Sequence, residues 1–168
     1  MCPDQSSPSA DSAPGVLREL AADDLEDLIF LLDRDPDAYS VVAERVVAAG
    51  LDPMGSGGPT WGWYVDGELR CAVFVGPNVL LVETSPAARS AFGSRLSRMG
   101  RRSSAIVGYR EEVVDLWNHL VADWGPCREL RDDQPLMVCA QDPAVESLAG
   151  VRRLNLSDLD AFLPAAID

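Results

Sequence analysis

Few residues of this chain have both the type and the spacing that chemistry demands. The run Gly55-Ser56-Gly57-Gly58 has the composition of a loop able to wrap a phosphate. No lysine follows it and no strand immediately precedes it, so the P-loop pattern fails. Lysine is absent throughout: all 14 basic side chains are arginine. That excludes a Schiff-base lysine, a P-loop lysine and a Ser–Lys dyad. Cys2, Cys71, Cys127 and Cys139 are scattered without a C-x-x-C pair, and with a single histidine they make a poor zinc site. No metal is expected. That histidine, His119, falls on the polar side of a helical pattern, away from any Ser or Cys motif, and reads as a surface residue. Arg95, Arg98, Arg101 and Arg102 form a basic cluster that suits a phosphate or an acidic surface. A solvated helix end, where cations complement the dipole, explains it equally. Trp61, Trp63 and Tyr64 have the rings to stack a ligand, but in a strand Trp61 and Trp63 share one face, and a core or interdomain contact is the commoner cause.

The 168 residues carry a net charge of −13 and are 47% hydrophobic. A sizeable core is therefore available to one ordinary domain. The acidic balance repels phosphate backbones and anionic lipid, so neither nucleic acid nor a membrane is expected as a partner. The first fifteen residues, rich in Ser, Pro, Asp and Ala, lack the basic and apolar regions of a signal peptide and read as a disordered tail. No apolar run reaches 18 residues. A cytoplasmic location is the expectation.

The elements that must position any site follow from period and punctuation. A short strand near Val16 leads to a helix with Leu25, Leu28, Ile29 and Leu32 on one face, with Asp23 as its N-cap. Asp35-Pro36 breaks it. A second helix carries Tyr39, Val42, Ala43 and Val46 and closes at Gly50. The segment LDPMGSGGPT reads as a flexible glycine-rich connection. TWGWYV and LRCAVFV are joined by Asp66-Gly67, a strong hairpin signal, and Gly76-Pro77-Asn78 turns the chain into VLLVET. Ser85-Pro86 opens a helix with Ala88, Ala91, Phe92, Leu96 and Met99 on one face. SSAIVG is a short strand. Val113, Leu116, Trp117, Leu120, Val121 and Trp124 then mark the most regular helix, stopped by Gly125-Pro126. CREL and PLMVCA, about a polar turn, suggest a last hairpin.

A repeat closes the chain. Sliding the sequence by 134 positions pairs Arg18 with Arg152, Leu20 with Leu154, Asp24 with Asp158 and Leu25 with Leu159. Leu159, Phe162, Leu163 and Ala166 repeat the helical spacing of the first copy, with Ser157 as the N-cap.

The order β-α-α-β-β-β-α-β-α-β-β, carried by LRELAADDLEDLIFLLDRDPDAYSVVAERV, GWYVDGELRCAVFVGPNVLLVE and VRRLNLSDLDAFLPAAI, resembles the GNAT superfamily of N-acetyltransferases. More narrowly, it looks like the N-terminal GNAT-like domain that precedes a GNAT acetyltransferase domain in two-domain bacterial proteins. The resemblance implies an α+β, α/β/α-layered fold with a mixed, mostly antiparallel sheet of about seven strands flanked by helices. It implies a tail over 1–15, a GNAT-like domain over 16–140, a linker over 141–150, and over 151–168 the start of a second, truncated GNAT domain. A lone terminal helix packing back on its own domain is the other reading of that last segment.

The family binds acetyl-CoA through R/Q-x-x-G-x-G/A ahead of a helix, where glycines admit the pyrophosphate to backbone N–H groups. With Arg89 as the first residue of that pattern, Phe92 takes the glycine position and Gly93 lies one place out. The resemblance therefore implies a weakened cofactor loop of Arg89, Gly93 and Arg95. It also implies Glu83 as a general base and Tyr109 as a general acid. The favoured expectation is a noncatalytic module that supports or regulates an acetyl-CoA-dependent catalytic domain, with that domain or a second copy of the chain as its partner. The alternatives are an acyltransferase with a divergent loop, using Glu83 as base and Arg89 or Arg95 on phosphate, and a small-ligand-sensing module.

Overall fold

The computed structural model describes residues 15–131, 133–142, 144, 145 and 148–167. Apart from Gly15, the expected tail over 1–15 lies outside the described residues. The chain divides into two compact units, the first ending at Leu136 and the second beginning at Met137.

The first unit is built on a five-stranded sheet in the order β1-β2-β3-β4-β5. Its strands are β1 (Val16–Glu19), β2 (Thr60–Val65), β3 (Glu68–Val75), β4 (Asn78–Val82) and β5 (Ala105–Val107). Neighbouring strands pair antiparallel except β4 and β5, which are parallel. A parallel pair needs a crossover, and α4 (Pro86–Met99) supplies it. Asp66 and Gly67 both have positive φ, 53° and 83°. Two left-handed residues in succession form the turn whose twist matches a two-residue hairpin.

Side-chain alternation on β3 and β4 explains why helices cover both faces. Ala72, Phe74, Leu80 and Val82 point to one side, where α1 (Leu25–Leu32) and α2 (Ser40–Ala49) bury Leu28, Leu31, Val42 and Val46. Cys71, Val73, Val79 and Leu81 point to the other, where α4 and α5 (Arg110–Trp124) bury Phe92, Leu96, Leu116 and Leu120. All four tryptophans, 61, 63, 117 and 124, belong to this second layer. Each fully buried Leu or Phe contributes roughly 1.5–3 kcal/mol of transfer free energy.

Several local expectations are corrected. The structure has five strands, not about seven. Residues 127–140 form no strand among the described residues, and Leu130, Leu136, Met137 and Val138 are 57–84% exposed. Their apolar character supplies strand propensity, but a strand also needs a neighbour to bond its N–H and C=O groups, and no ladder reaches them. The expected flexible connection at 51–60 contains a capped helical turn, α3 (Pro53–Ser56), with the Asp52 carboxylate accepting from the N–H groups of Met54 and Gly55. Arg45 donates to the Ser56 carbonyl at 3.1 Å and fixes that turn to α2. Asp23 does not cap α1. It is exposed, and a 3-10 turn over Ala22–Asp24 leads into the helix instead. Among the described residues no helix is long and apolar enough to cross a membrane.

Asp24 does the anchoring. Its carboxylate accepts two bonds from Arg18, at 2.7 and 2.5 Å, one from the Ala21 N–H at 2.8 Å and one from the Tyr64 hydroxyl at 2.8 Å. Arg18 lies over the Tyr64 ring, 4.1 Å from its centroid. The clip ties β1 to α1 and both to β2.

In the second unit a 3-10 turn (Leu156–Asp158) runs into α6 (Leu159–Ile167). Asn155, not Ser157, caps it, accepting from the Ser157 N–H at 2.9 Å. Leu159, Phe162 and Leu163 are 43–49% exposed.

The guanidinium of Arg18, helped by the Ala21 N–H and the Tyr64 hydroxyl, holds the Asp24 carboxyl well below the ordinary carboxylate range, against a smaller opposing effect of burial. Its folded pKa is depressed, so its stabilisation is full above the unfolded value near 4 and is lost as pH falls below it. Asp24→Asn should cost about 2 kcal/mol at pH 7. Denaturant titrations should show that gap to the parent narrowing as pH drops from about 4 towards 2.

Candidate functional site

A grouping of polar side chains gathers where β4 ends. The β4–β5 ladder stops at Leu80–Val107 while β4 continues to Val82. Both α4 and α5 begin just beyond, so two helix N-termini meet the carboxyl ends of parallel strands, where ligands of open α/β sheets commonly bind. Glu83 takes the first position after β4 with φ 52°. A left-handed non-glycine residue stores strain, and such residues cluster at working sites.

Contacts from three elements hold Glu83 and its neighbours. The Tyr39 hydroxyl donates to the Glu83 carboxylate at 3.3 Å and accepts from the Glu83 N–H at 3.2 Å. Arg34 lies 3.5 Å from the same carboxylate. From α5, Glu112 accepts the Thr84 N–H at 2.9 Å, and its other carboxylate oxygen is buried without a protein partner. The Tyr109 hydroxyl donates to Asp35. Ser85, the α4 N-cap, accepts from the Ala88 N–H, and its own N–H reaches the Cys71 sulfur at 3.4 Å.

Burial sets the electrostatics. Desolvation pushes the Tyr39 hydroxyl pKa well up, and it raises the Glu112 carboxyl above the ordinary range, partly offset by the Thr84 bonds and by Arg89. Burial also raises the Cys71 thiol. Asp35 is lowered, and Tyr109 raised, by the bond they share. Glu112 is thus a carboxyl with a raised pKa and one unused oxygen, beside a strained Glu83. That arrangement suits a proton acceptor or a cation more than an anion.

The residues assigned to acetyl-CoA are engaged within the protein, Arg89 at the border of this cluster beside Thr84 and Glu112. Arg89 is 9% exposed. Its guanidinium donates to the Thr84 carbonyl and to Asp115 at 2.6 Å, with Glu112 at 3.9 Å, in the seam between α4 and α5. Phe92, at the position of the motif glycine, is fully buried in the second core layer. Gly93 packs against α5, and a Cβ built there would stand 2.6 Å from the Cβ of His119. The Arg95 guanidinium lies over Trp61, 4.5 Å from the ring centroid. Of the five residues named from the sequence, Glu83 and Tyr109 fall in the polar cluster, Arg89 borders it through Thr84 and Glu112, and Gly93 and Arg95 serve the packing of α4. Tyr39, Arg34, Asp35 and Glu112 were not anticipated. Only Asp35, before a proline, and Glu112, in the first turn of a helix, carry a local signal, and it concerns helix ends. Among the described residues, no three His, Cys, Asp or Glu side chains converge as metal ligands.

A family model described as a domain of unknown function (DUF4081) matches residues 58–162, well over half of the sequence. The chain belongs to the DUF4081 family. The match takes in β2 to α5 and crosses into the second unit as far as Phe162, while β1, α1 and α2 of this DUF4081 chain precede it. No curated protein and no solved structure matches the chain.

The contact between Gly93 and His119 leaves no room for a side chain. Gly93→Ala should destabilise by about 1–3 kcal/mol through overpacking of the α4–α5 seam. Ser94→Ala, at an exposed neighbouring position, should change stability by less than about 0.5 kcal/mol. Urea denaturation of the two variants checks the contrast.

Proposed function

We propose that this chain is a noncatalytic GNAT-like module that supports or regulates an acetyl-CoA-dependent N-acetyltransferase domain. The observation that carries the reading is the inward turn of Arg89. An arginine meant for a pyrophosphate must present free N–H groups at a helix N-terminus. Here those groups are committed to Thr84 and Asp115 inside the protein. Phe92 and Gly93 face the core and α5, and Pro86 removes one donor from the first turn of α4. The residues at this loop do not fit the cofactor. The reaction proposed for the partner domain is transfer of an acetyl group from acetyl-CoA to an amine. The partner is that catalytic domain, or a second copy of this chain. A cytoplasmic setting suits Cys127 and Cys139, both exposed free thiols.

The strained Glu83, held between Tyr39 and Arg34, and the unpartnered oxygen of Glu112 favour a second reading. In it the domain is an acyltransferase with a divergent loop, or a small-ligand sensor, and the end of β4 is its working site.

A thermal-shift titration with acetyl-CoA separates the two, with free CoA and ADP as controls. The supporting-module reading expects no shift up to millimolar ligand. A ligand present at 100 times its Kd stabilises by about 2.7 kcal/mol. A shift of that order specific to acetyl-CoA would overturn the first reading and direct mutagenesis to Glu83 and Glu112.

A further inference from the structure

The glycine-rich run that fails as a phosphate loop builds one wall of a cleft. Asp52 caps the short turn α3, and Gly57 ends it at φ 87°, in the left-handed region that favours glycine. The chain then joins the sheet, where the Val75 N–H reaches the Pro59 carbonyl at 2.9 Å. Val75 pairs with Val79, so this loop stands by the start of β4, the end remote from Glu83. α2 packs against α3. Between the two helices lies a cleft of about 320 Å³ lined by Glu44, Arg45, Ala48, Ala49, Gly55 and Ser56.

Arg45 brings unused chemistry to this cleft. Its guanidinium lies over the Phe74 ring, 5.2 Å from the centroid, and Nη1 donates to the Ser56 carbonyl at 3.1 Å. Those two contacts hold the side chain in place. Nε is buried without an acceptor, and Nη2 makes no hydrogen bond among the described residues. Arg18, Arg34, Arg70 and Arg89 each pair with an acid; Arg45 pairs with none among the described residues. A guanidinium held in place without a carboxylate keeps the planar fork that recognises one. Gly57 leaves room beside it, since a Cβ there would stand 3.1 Å from Nη1.

A simple anion is not the best fit. Glu44 lines the same cleft, is exposed and makes no ion pair among the described residues. Its carboxylate repels an anion and attracts an ammonium. The Asp52 carboxylate is already occupied by the N–H groups of Met54 and Gly55. The remaining wall, Ala48, Ala49 and Gly55, is small and apolar, and the volume lies at the low end of ligand sites. We propose that this cleft binds a small zwitterion, a free α-amino acid with a short aliphatic side chain. Its carboxylate meets Arg45, its ammonium meets Glu44, and its side chain lies against Ala48 and Ala49. The site is separate from the Glu83 cluster and involves no acetyl-CoA, so it stands or falls independently of the supporting-module reading.

In the full chain, NMR follows the Arg45 Nε–H and the Gly55 and Gly57 amides during titration with glycine and L-alanine, against acetate and methylammonium. The expected result is saturable shifts with either amino acid at a Kd of about 1–10 mM. Acetate should bind about two- to fivefold more weakly, the contribution of an exposed ion pair. Glu44→Gln, at an exposed position, should bring glycine down to the level of acetate. Arg45→Gln should weaken glycine by about tenfold or more. No saturable shift with either amino acid overturns the proposal. So does acetate binding as tightly as glycine, or a Glu44→Gln variant that binds glycine like the parent. If Arg45→Gln fails to fold, the Glu44→Gln comparison decides alone.

Discussion

The middle strands of the sheet are apolar on both faces, and the rest of the first unit follows from that. β3 and β4 present Ala72, Phe74, Leu80 and Val82 to one side and Val73, Val79 and Leu81 to the other, none more than 9% exposed. Such strands cannot leave either face in water. Helices must therefore cover both, and the chain delivers two before the β2–β3–β4 meander and two after it. The parallel placement of β5 is the geometric result of α4 crossing one face before the chain returns.

Covering both faces brings paired helices together on each side of the sheet. On the α4–α5 side, closeness of the two helices depends on Gly93, and their shared polar edge is neutralised by Arg89 between Asp115 and Glu112. An arginine held by a carbonyl and two carboxylates in a poorly hydrated seam is a costly group to release, since the acids left behind would be partly buried and uncompensated. The polar cluster at Glu83 is different in kind. It joins the end of α1, the start of α2, the end of β4 and the start of α5, and it is where the backbone departs from the ordinary regions of conformational space.

Much of this was legible because it is local. The hairpin at Asp66-Gly67, the Ser85-Pro86 helix start, the Gly50 and Gly125 helix ends and the 3.6-residue spacing of Leu116, Leu120 and Trp124 are each decided by residues within a few positions of one another. What the sequence hid is long-range. Tyr39 and Arg34 meet Glu83 across 44 and 49 residues, and nothing in either neighbourhood announces the partner. Arg89 reads as a ligand arginine until Asp115 is seen beside it. The Asp52-Pro53 pair is a helix start of the same kind as Ser85-Pro86, obscured by the glycines that follow. Residues 127–140 show the converse: strand-forming types stand there without a ladder. Asp24 was visible as half of a repeat, but its partner Tyr64 lies 40 residues away.

The distribution of tryptophan has a spectroscopic consequence. All four indoles sit in the layer between the sheet and α4–α5, with Arg95 over Trp61. The opposite layer holds only Tyr39, Tyr64 and Phe74 as buried aromatic rings. Intrinsic emission excited at the red edge therefore watches one side of the sheet alone. Loosening of α1 and α2 would leave that signal nearly unchanged while altering tyrosine absorbance, so the two chromophores together form an optical pair that resolves the halves of the core.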